Sequence, residues 1–449
     1  MSILNRKESL VLALGDILMF LVALGIMLFL RYGTALDQQI FYSHLAPFSL
    51  LIVAWLAVFF IAGLYEKHTL ILQGRLPSIV VNSAILNSFI AVIFFYFIPY
   101  FGIAPKVNLF LYLLISSILI LYWRMQGYRF LYAKKKQNAL SIGTGSELAE
   151  LALEVNQNPR YNIRFIESVE INNINTADFR KNILGRLEDE QVSLIVADLK
   201  NKNIEPVLPY LYNLVFKNVQ FVEIHQLYEE IFDRIPLSLI NYDWFLEHVS
   251  SLPSAGYDAL KRFMDVTVSL ILGPLSLVFY PFIIMAIKLD DRGPIFIVQE
   301  RIGESGKKIR IIKFRTMTCD DAGQANAVRK NFPTLVGPFL RKSRLDELPQ
   351  FWNILKGDLS LIGPRPELPS LVAIYEREVP YYATRHLIKP GLSGWAQLYH
   401  DKHPHHHADI LQTRVKFSYD LYYIKNRSLF LDLKIALRTV KTLLSRSGV

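Results

Sequence analysis

A single cysteine, Cys319, stands among 449 residues. No intrachain disulfide can form, nor any cysteine metal cluster. That fits soluble parts kept in a reducing cytoplasm, and Cys319 itself reads as an incidental small residue. Acidic residues are the minority charge: 39 Asp and Glu against 49 Lys and Arg leave a net +10. The cations are scattered around apolar segments and form no groove-binding tract. This excludes nucleic acid as a partner and favours anionic lipid. No internal repeat and no long linker are visible. No small-residue cleavage site follows the first apolar run, so that run reads as an anchor and not as a removed leader. Polar residues are scarce: 52% of the chain is hydrophobic and mean hydropathy is +0.27, too apolar for an ordinary soluble enzyme.

Four apolar runs fill the first quarter: Leu10–Leu30, Leu45–Leu64, Ile79–Phe101 and Val107–Trp123. Each approaches or exceeds the roughly 17 to 25 residues of a membrane-spanning helix. Arg6 and Lys7 precede the first run, and Lys67 and Arg75 separate the second from the third. Arg124, Arg129 and Lys134-Lys135-Lys136 follow the fourth. The positive-inside bias then puts both ends of residues 1–137 in the cytoplasm. Asp16, inside the first run, is costly in lipid and is expected to face other helices in a structural contact.

From residue 138 the pattern changes. Ala139–Gly143, Arg164–Val169, Val192–Leu199 and Val219–Ile224 read as buried strands between polar helical stretches, an α/β domain ending near residue 250. Gly143-Thr144-Gly145-Ser146 ends the first strand and opens a helix, the context of a phosphate-cradling turn. Leu148 occupies the place of the third glycine, so a nucleotide site and a purely structural or regulatory module both stay open.

Phe263–Leu289 is again apolar and long enough to span. Lys261 and Arg262 before it, with Lys288 and Arg292 after it, mark both ends as cytoplasmic. Pro274 and Pro281 each remove a helical hydrogen bond and bend the axis. Thr267, Ser269 and Ser276 are available to satisfy freed backbone groups. The segment is expected to enter and leave one leaflet, broken at Pro274, Pro281 or both.

The stretch Leu340–Glu367 carries the chemistry. Asp346-Glu347 follow Arg341, Lys342 and Arg344, and Pro364-Arg365-Pro366 lies downstream. A carboxylate that attacks or holds a metal, among cations that neutralise oxygens, points to reaction at a phosphate. Pro349 cannot sit deep in a helix, so one is expected to begin just before it, with Ser343 as cap. Neighbouring helical positions diverge by about 100°, so the two carboxylates need not share one job. Lys313 and Arg315, two apart on the strand-like Lys308–Met317, are expected to project to one side. Trp395 reads either as core or as a membrane-interface anchor. His400, His403 and His405-His406-His407 read as a polar loop and not a metal site.

These blocks occur in one order with several others. They are Lys261-Arg262 with Asp265, Gln299-Glu300-Arg301 with Gly303, and Lys313-Phe314-Arg315-Thr316-Met317. Gly363-Pro364-Arg365-Pro366, Arg385-His386, Lys389-Pro390-Gly391, Gly394-Trp395-Ala396-Gln397 and Tyr419–Asn426 follow. The region from about Tyr257 to Val449 resembles the monotopic phosphoglycosyl transferases, or bacterial sugar transferases. That resemblance implies a membrane α-helical bundle (1–137), an α/β Rossmann-like, CoA-binding-like domain (138–250), and an α-rich monotopic catalytic domain (251–449) with a re-entrant membrane helix. The family's usual Ser-Pro break is Leu277-Val278 here.

The implied reaction moves a hexose-1-phosphate from a UDP-sugar to undecaprenyl phosphate. Asp346 would attack the β-phosphate and Glu347 would hold Mg²⁺. Arg341 and Arg365 would grip phosphate, with Lys313, Arg315, Arg385 and Lys389 in the same anionic pocket. Asp420 would support the metal. The implied location is the bacterial inner membrane, multi-pass, with both soluble domains cytoplasmic; a homodimer stays open. Two other readings are an N-acetylated donor on the same fold and a catalytically silent scaffold for polysaccharide assembly.

Overall fold

The computed structural model describes residues 7–35, 37–65, 76–98, 106–132, 136–158, 161–170, 191–217, 219–249, 255–290, 292–318, 332–399 and 409–444. Two compact units divide the chain, Met1–Leu227 and Tyr228–Val449. Cys319 and the histidine-rich segment 400–407 lie outside the described residues.

In the first unit, the apolar runs form helices α1 (Lys7–Tyr32), α2 (Gln38–Ile61), α3 (Leu76–Phe97) and α4 (Lys106–Tyr132). Each contains a stretch long and apolar enough to cross a membrane. Their shared core centres on Phe20, Leu24, Trp55 and Tyr112, with the Trp55 and Tyr112 rings stacked at 5.4 Å. Helices α1 and α4 approach closely at Gly15, where an added Cβ would lie 2.1 Å from the Trp123 ring. Small residues permit such contact between apolar helices. Asp16 faces inward, as expected, and meets Arg124, which donates through Nε at 3.1 Å and also through Nη2. Tyr65 donates to the same carboxylate at 2.7 Å. Arg124 therefore does not serve as a surface flank. It is 2% exposed, because an unpaired buried Asp16 would cost more than burying both charges together.

The first unit also holds a four-stranded parallel sheet: β1 (Gln137–Gly143), β2 (Ile163–Glu170), β3 (Val192–Ala197) and β4 (Gln220–Glu223), in the order β2-β1-β3-β4. The central strands β1 and β3 are buried over most of their length, whereas the edge strands β2 and β4 are more exposed, β2 alternating buried with exposed positions. The turn after β1 needs its glycine: Gly145 has φ +103° and precedes helix α5 (Ser146–Gln157).

The second unit begins with part of what the sequence reading assigns to the α/β domain. Ile235, Ile240, Trp244 and Val249 pack in one core with Tyr375, Phe417, Leu421 and Ile424. Trp395 joins this core at 1% exposure, and its indole donates to the Asp233 carbonyl at 2.9 Å.

Helix α6 (Ala255–Ser276) leads through a 3-10 turn, Leu277–Phe279, into α7 (Tyr280–Asp290). The break lies between the two prolines. Pro281 cannot donate back to residue 277, and the ring at Pro274 disfavours a regular turn before it. Asp265, Ser269, Gly273 and Ser276 line the buried side of α6, while Phe263, Leu270, Ile271 and Leu275 are exposed. A small and polar stripe faces protein and an apolar face points outward, as a lipid-embedded helix requires. Asp265 fixes this helix by accepting from the Leu361 amide at 3.0 Å.

Strands β5 (Phe296–Ile302) and β6 (Lys308–Phe314) form an antiparallel hairpin. Strands β7 (Ser360–Ile362) and β8 (Gly391–Ser393) pair in parallel. Between them run helices α8 (Gly337–Lys342) and α9 (Gln350–Lys356). Helix α10 (Ile410–Lys425) supplies the core behind them.

Candidate active site

The carboxylate pair sits on a 3-10 turn, Leu345–Glu347, between α8 and α9. Ser343 does not cap the following helix. It ends α8, its hydroxyl donating back to the Phe339 carbonyl at 2.7 Å, because residues 337–342 form a helix of their own. Arg344 then takes φ +55° and turns the chain, so Asp346 and Glu347 point inward at 8% and 7% exposure. Such a left-handed conformation is unusual for a side chain other than glycine and is held by its surroundings.

Asn353 locks α9 onto β6. It donates to the Arg310 carbonyl at 2.6 Å and accepts from the Ile312 amide at 3.1 Å. This sets Lys313, the next residue, 3.6 Å from Glu347 Oε1. Arg365 reaches the same oxygen from the Pro-Arg-Pro turn at 2.7 Å, and Arg344 lies 3.7 Å from Oε2. Arg341 is anchored by donating to the Thr316 hydroxyl at 3.0 Å and is near enough to act on Asp346.

The two neighbouring carboxylates are thus treated in opposite ways. Burial would raise Glu347, but Arg365, Lys313 and Arg344 outweigh it and hold its carboxyl well below the usual range. Burial and the adjacent Glu347 charge push Asp346 upward, to about 6. No described residue donates a hydrogen bond to Asp346. Burial lowers the Lys313 ammonium to about 8 despite the pull of Glu347. The result is one carboxylate fixed in place and one left available, in a pocket rich in cations. If Asp346 must be ionised to react, the rate should fall about tenfold per pH unit as pH drops through about 6. A pH–rate profile flat from pH 5 to 7 would contradict that.

The other expected residues divide. Arg385 is 3% exposed and faces away from the pair. It donates to Asp420 Oδ2 at 2.8 Å and to the Arg365 carbonyl at 3.0 Å. Asp420 is 1% exposed and held by that arginine, so a metal would have to displace the guanidinium. Arg315 packs against Gly293, where a Cβ would lie 2.3 Å from its guanidinium. Lys389 lies in a separate cavity.

Two more residues belong to this machinery: Arg344, one of the cations expected before the pair, and Glu367, to which the sequence assigns no role. Arg344 contacts Glu347 directly. Glu367 completes the buried cluster with Lys416 and, at 3.8 Å, Arg385. The signal for Glu367 was its place directly after the Pro-Arg-Pro turn.

Among the described residues no group of three His, Cys, Asp or Glu forms a metal cage. Mg²⁺ does not need one; it uses one or two carboxylates and takes its other ligands from phosphate and water. Glu347 Oε2, which lies 3.7 Å from Arg344, and the adjacent Asp346 fit that donor set.

Residues 256–446 match the family described as bacterial sugar transferase. The chain is 38% identical over 262 residues to the UDP-N-acetylgalactosamine-undecaprenyl-phosphate N-acetylgalactosaminephosphotransferase of Aeromonas hydrophila. That match covers 57% of this chain and 59% of the relative, so the chain spans under two thirds of that protein's length. It is 39% identical to the UDP-glucose:undecaprenyl-phosphate glucose-1-phosphate transferase of Caulobacter vibrioides, over 43% of this chain and 73% of the relative. It is 38% identical to the exopolysaccharide production protein PSS of Rhizobium leguminosarum bv. phaseoli, over 42% of this chain and 96% of the relative.

Proposed function

The chain belongs to the bacterial sugar transferase family, and from that premise we propose that it transfers a hexose-1-phosphate from a UDP-sugar to undecaprenyl phosphate, releasing UMP. This would start a bacterial exopolysaccharide, capsule or O-antigen. The observation that carries the reading is the unlike pair: Asp346 accepts no described hydrogen bond, beside a Glu347 gripped by Arg365 and Lys313. Asp346 attacks the β-phosphorus, and the bond to UMP breaks. The sugar phosphate stays on the aspartyl oxygen until an oxygen of undecaprenyl phosphate displaces it. Arg365, Lys313 and Arg341 take the diphosphate oxygens. Arg385, clamped by Asp420 and Glu367, holds the turn that presents Arg365. Glu347 would hold a Mg²⁺ ion, whose chemistry there is to neutralise diphosphate charge.

A second reading, an N-acetylated donor, is favoured by the longer match to the Aeromonas relative, 57% of this chain against 43% for the Caulobacter one. UMP release from a panel of UDP-sugars, with undecaprenyl phosphate in detergent, separates the two. EDTA should abolish the release and Mg²⁺ restore it. Full turnover without a divalent ion would remove Glu347 from its role, and no turnover with any donor would favour a silent scaffold.

The parallel sheet of β1–β4 serves as a Rossmann-like module on the cytoplasmic side. Helices α6 and α7 form one re-entrant segment in the inner membrane, supported by the break at Leu277–Phe279 and by basic flanks at both ends. Single cysteines placed near Lys261 and near Arg292, in a Cys319→Ser background, should both label from the cytoplasm. Labelling from opposite faces would mean a fifth crossing.

A further inference from the structure

A cavity of about 820 Å³ in the second unit lies apart from the carboxylate pair. Four cations line it, and three are engaged. Arg262 donates to the carbonyls of Ile354 and Leu355 at 2.6 and 2.7 Å. Lys261 pairs with Asp432 at 3.0 Å, and Arg427 lies 3.6 Å from Asp258. Lys389 is the fourth, and no described residue pairs with its ammonium. A Cβ built on Gly357 would lie 3.7 Å from Arg262 Nη2 and 3.9 Å from Lys389 Nζ, so the two charges converge.

Apolar groups share the wall. Tyr242, Leu246 and Leu387 line the cavity and are 75%, 67% and 56% exposed. One residue past Arg262, Phe263 opens the exposed apolar face of α6. The cavity thus sits where the membrane segment begins. Three carboxylates also line it: Asp258 is near Arg427, Asp265 accepts from the Leu361 amide, and Glu304 is the third, so the four cations outnumber the acids by one, with apolar side chains around them. That combination suits an amphiphile with an anionic head, since a soluble phosphate gains nothing from the apolar wall. It is not the reacting position. Arg262 holds the far end of α9 from Asp346 and Glu347, and seven helical residues span about 10 Å.

We propose that this cavity holds the anionic headgroup of a bilayer phospholipid, with Lys389 on its phosphate and Leu246 and Leu387 against the acyl chains. The test uses the full chain in nanodiscs of mixed phosphatidylcholine and phosphatidylglycerol, extracted gently and weighed by native mass spectrometry. Wild type should retain phosphatidylglycerol in preference to phosphatidylcholine. Lys389→Glu should reduce that retention roughly tenfold, the effect of reversing one charge at a lipid phosphate. Lys389→Arg should keep it, and Lys356→Glu, at an exposed lysine, should leave it unchanged. Equal retention of both lipids by wild type overturns the proposal whether or not any variant folds. Equal loss from Lys356→Glu would make the preference a general surface attraction and also overturn it. Displacement of the lipid by free glycerol phosphate at matched concentration would assign the cavity to a soluble phosphate instead.

Discussion

Replacing Asp346 with asparagine is expected to lower UMP release by about four orders of magnitude or more, the usual scale for losing a covalent nucleophile. The change is nearly isosteric. It also removes a buried carboxylate whose charge burial and the adjacent Glu347 already disfavour, so the fold should tolerate it. Asp346→Asn should therefore purify normally and still bind UDP-sugar while failing to turn it over. A residual rate within tenfold of wild type would mean that Asp346 only assists. Glu347→Gln should behave differently. It leaves Arg365, Lys313 and Arg344 without their common anion, so both stability and activity should drop.

Arg365→Ala should cost about 10²- to 10³-fold in kcat, the loss seen when one preorganised donor to developing charge is removed. It also strips the closest partner, at 2.7 Å, from a Glu347 that is 7% exposed. Breaking a buried pair from one side costs about 3–5 kcal/mol, so a lowered Tm should accompany the lost rate. The two effects separate in Arg365→Lys. A lysine keeps the charge but not the planar fork, so stability should recover more than kcat. Arg365 also pulls the Asp346 carboxyl downward. Removing it should move the acid limb of the pH–rate profile to higher pH. A profile unmoved by Arg365→Ala would show that Arg365 does not act on the reacting carboxylate.

Much of this arrangement was legible in the sequence because it is local or periodic. Four apolar runs gave α1 to α4, and short apolar stretches gave β1 to β4. Pro274 and Pro281 bracketed the break between α6 and α7, since proline acts on its own backbone. The motif order carried Asp346, Glu347 and Arg365, which do meet. Most of what escaped depends on contacts distant in sequence. Asp16 and Arg124 are 108 residues apart, and no local rule says that a basic flank will turn inward. Arg385 looked like a phosphate ligand, but Asp420 and Glu367 draw it behind the Pro-Arg-Pro turn. Lys389 looked like its neighbour in the same pocket, but β8 leads it toward Arg262 at the other end of α9. Ser343 followed the capping pattern, yet Arg344 with φ +55° ended one helix before the next began.

The central claim is that Asp346 carries the sugar phosphate between donor and acceptor. The most direct measurement mixes enzyme with UDP-sugar labelled in the sugar, without undecaprenyl phosphate, and quenches in acid. The account predicts a burst of about one UMP per site, with the label covalently held on the peptide containing Asp346. Adding undecaprenyl phosphate before the quench should discharge it. If no label is ever attached to protein, and UMP appears only when the lipid acceptor is present, the transfer is direct displacement and Asp346 is not the nucleophile.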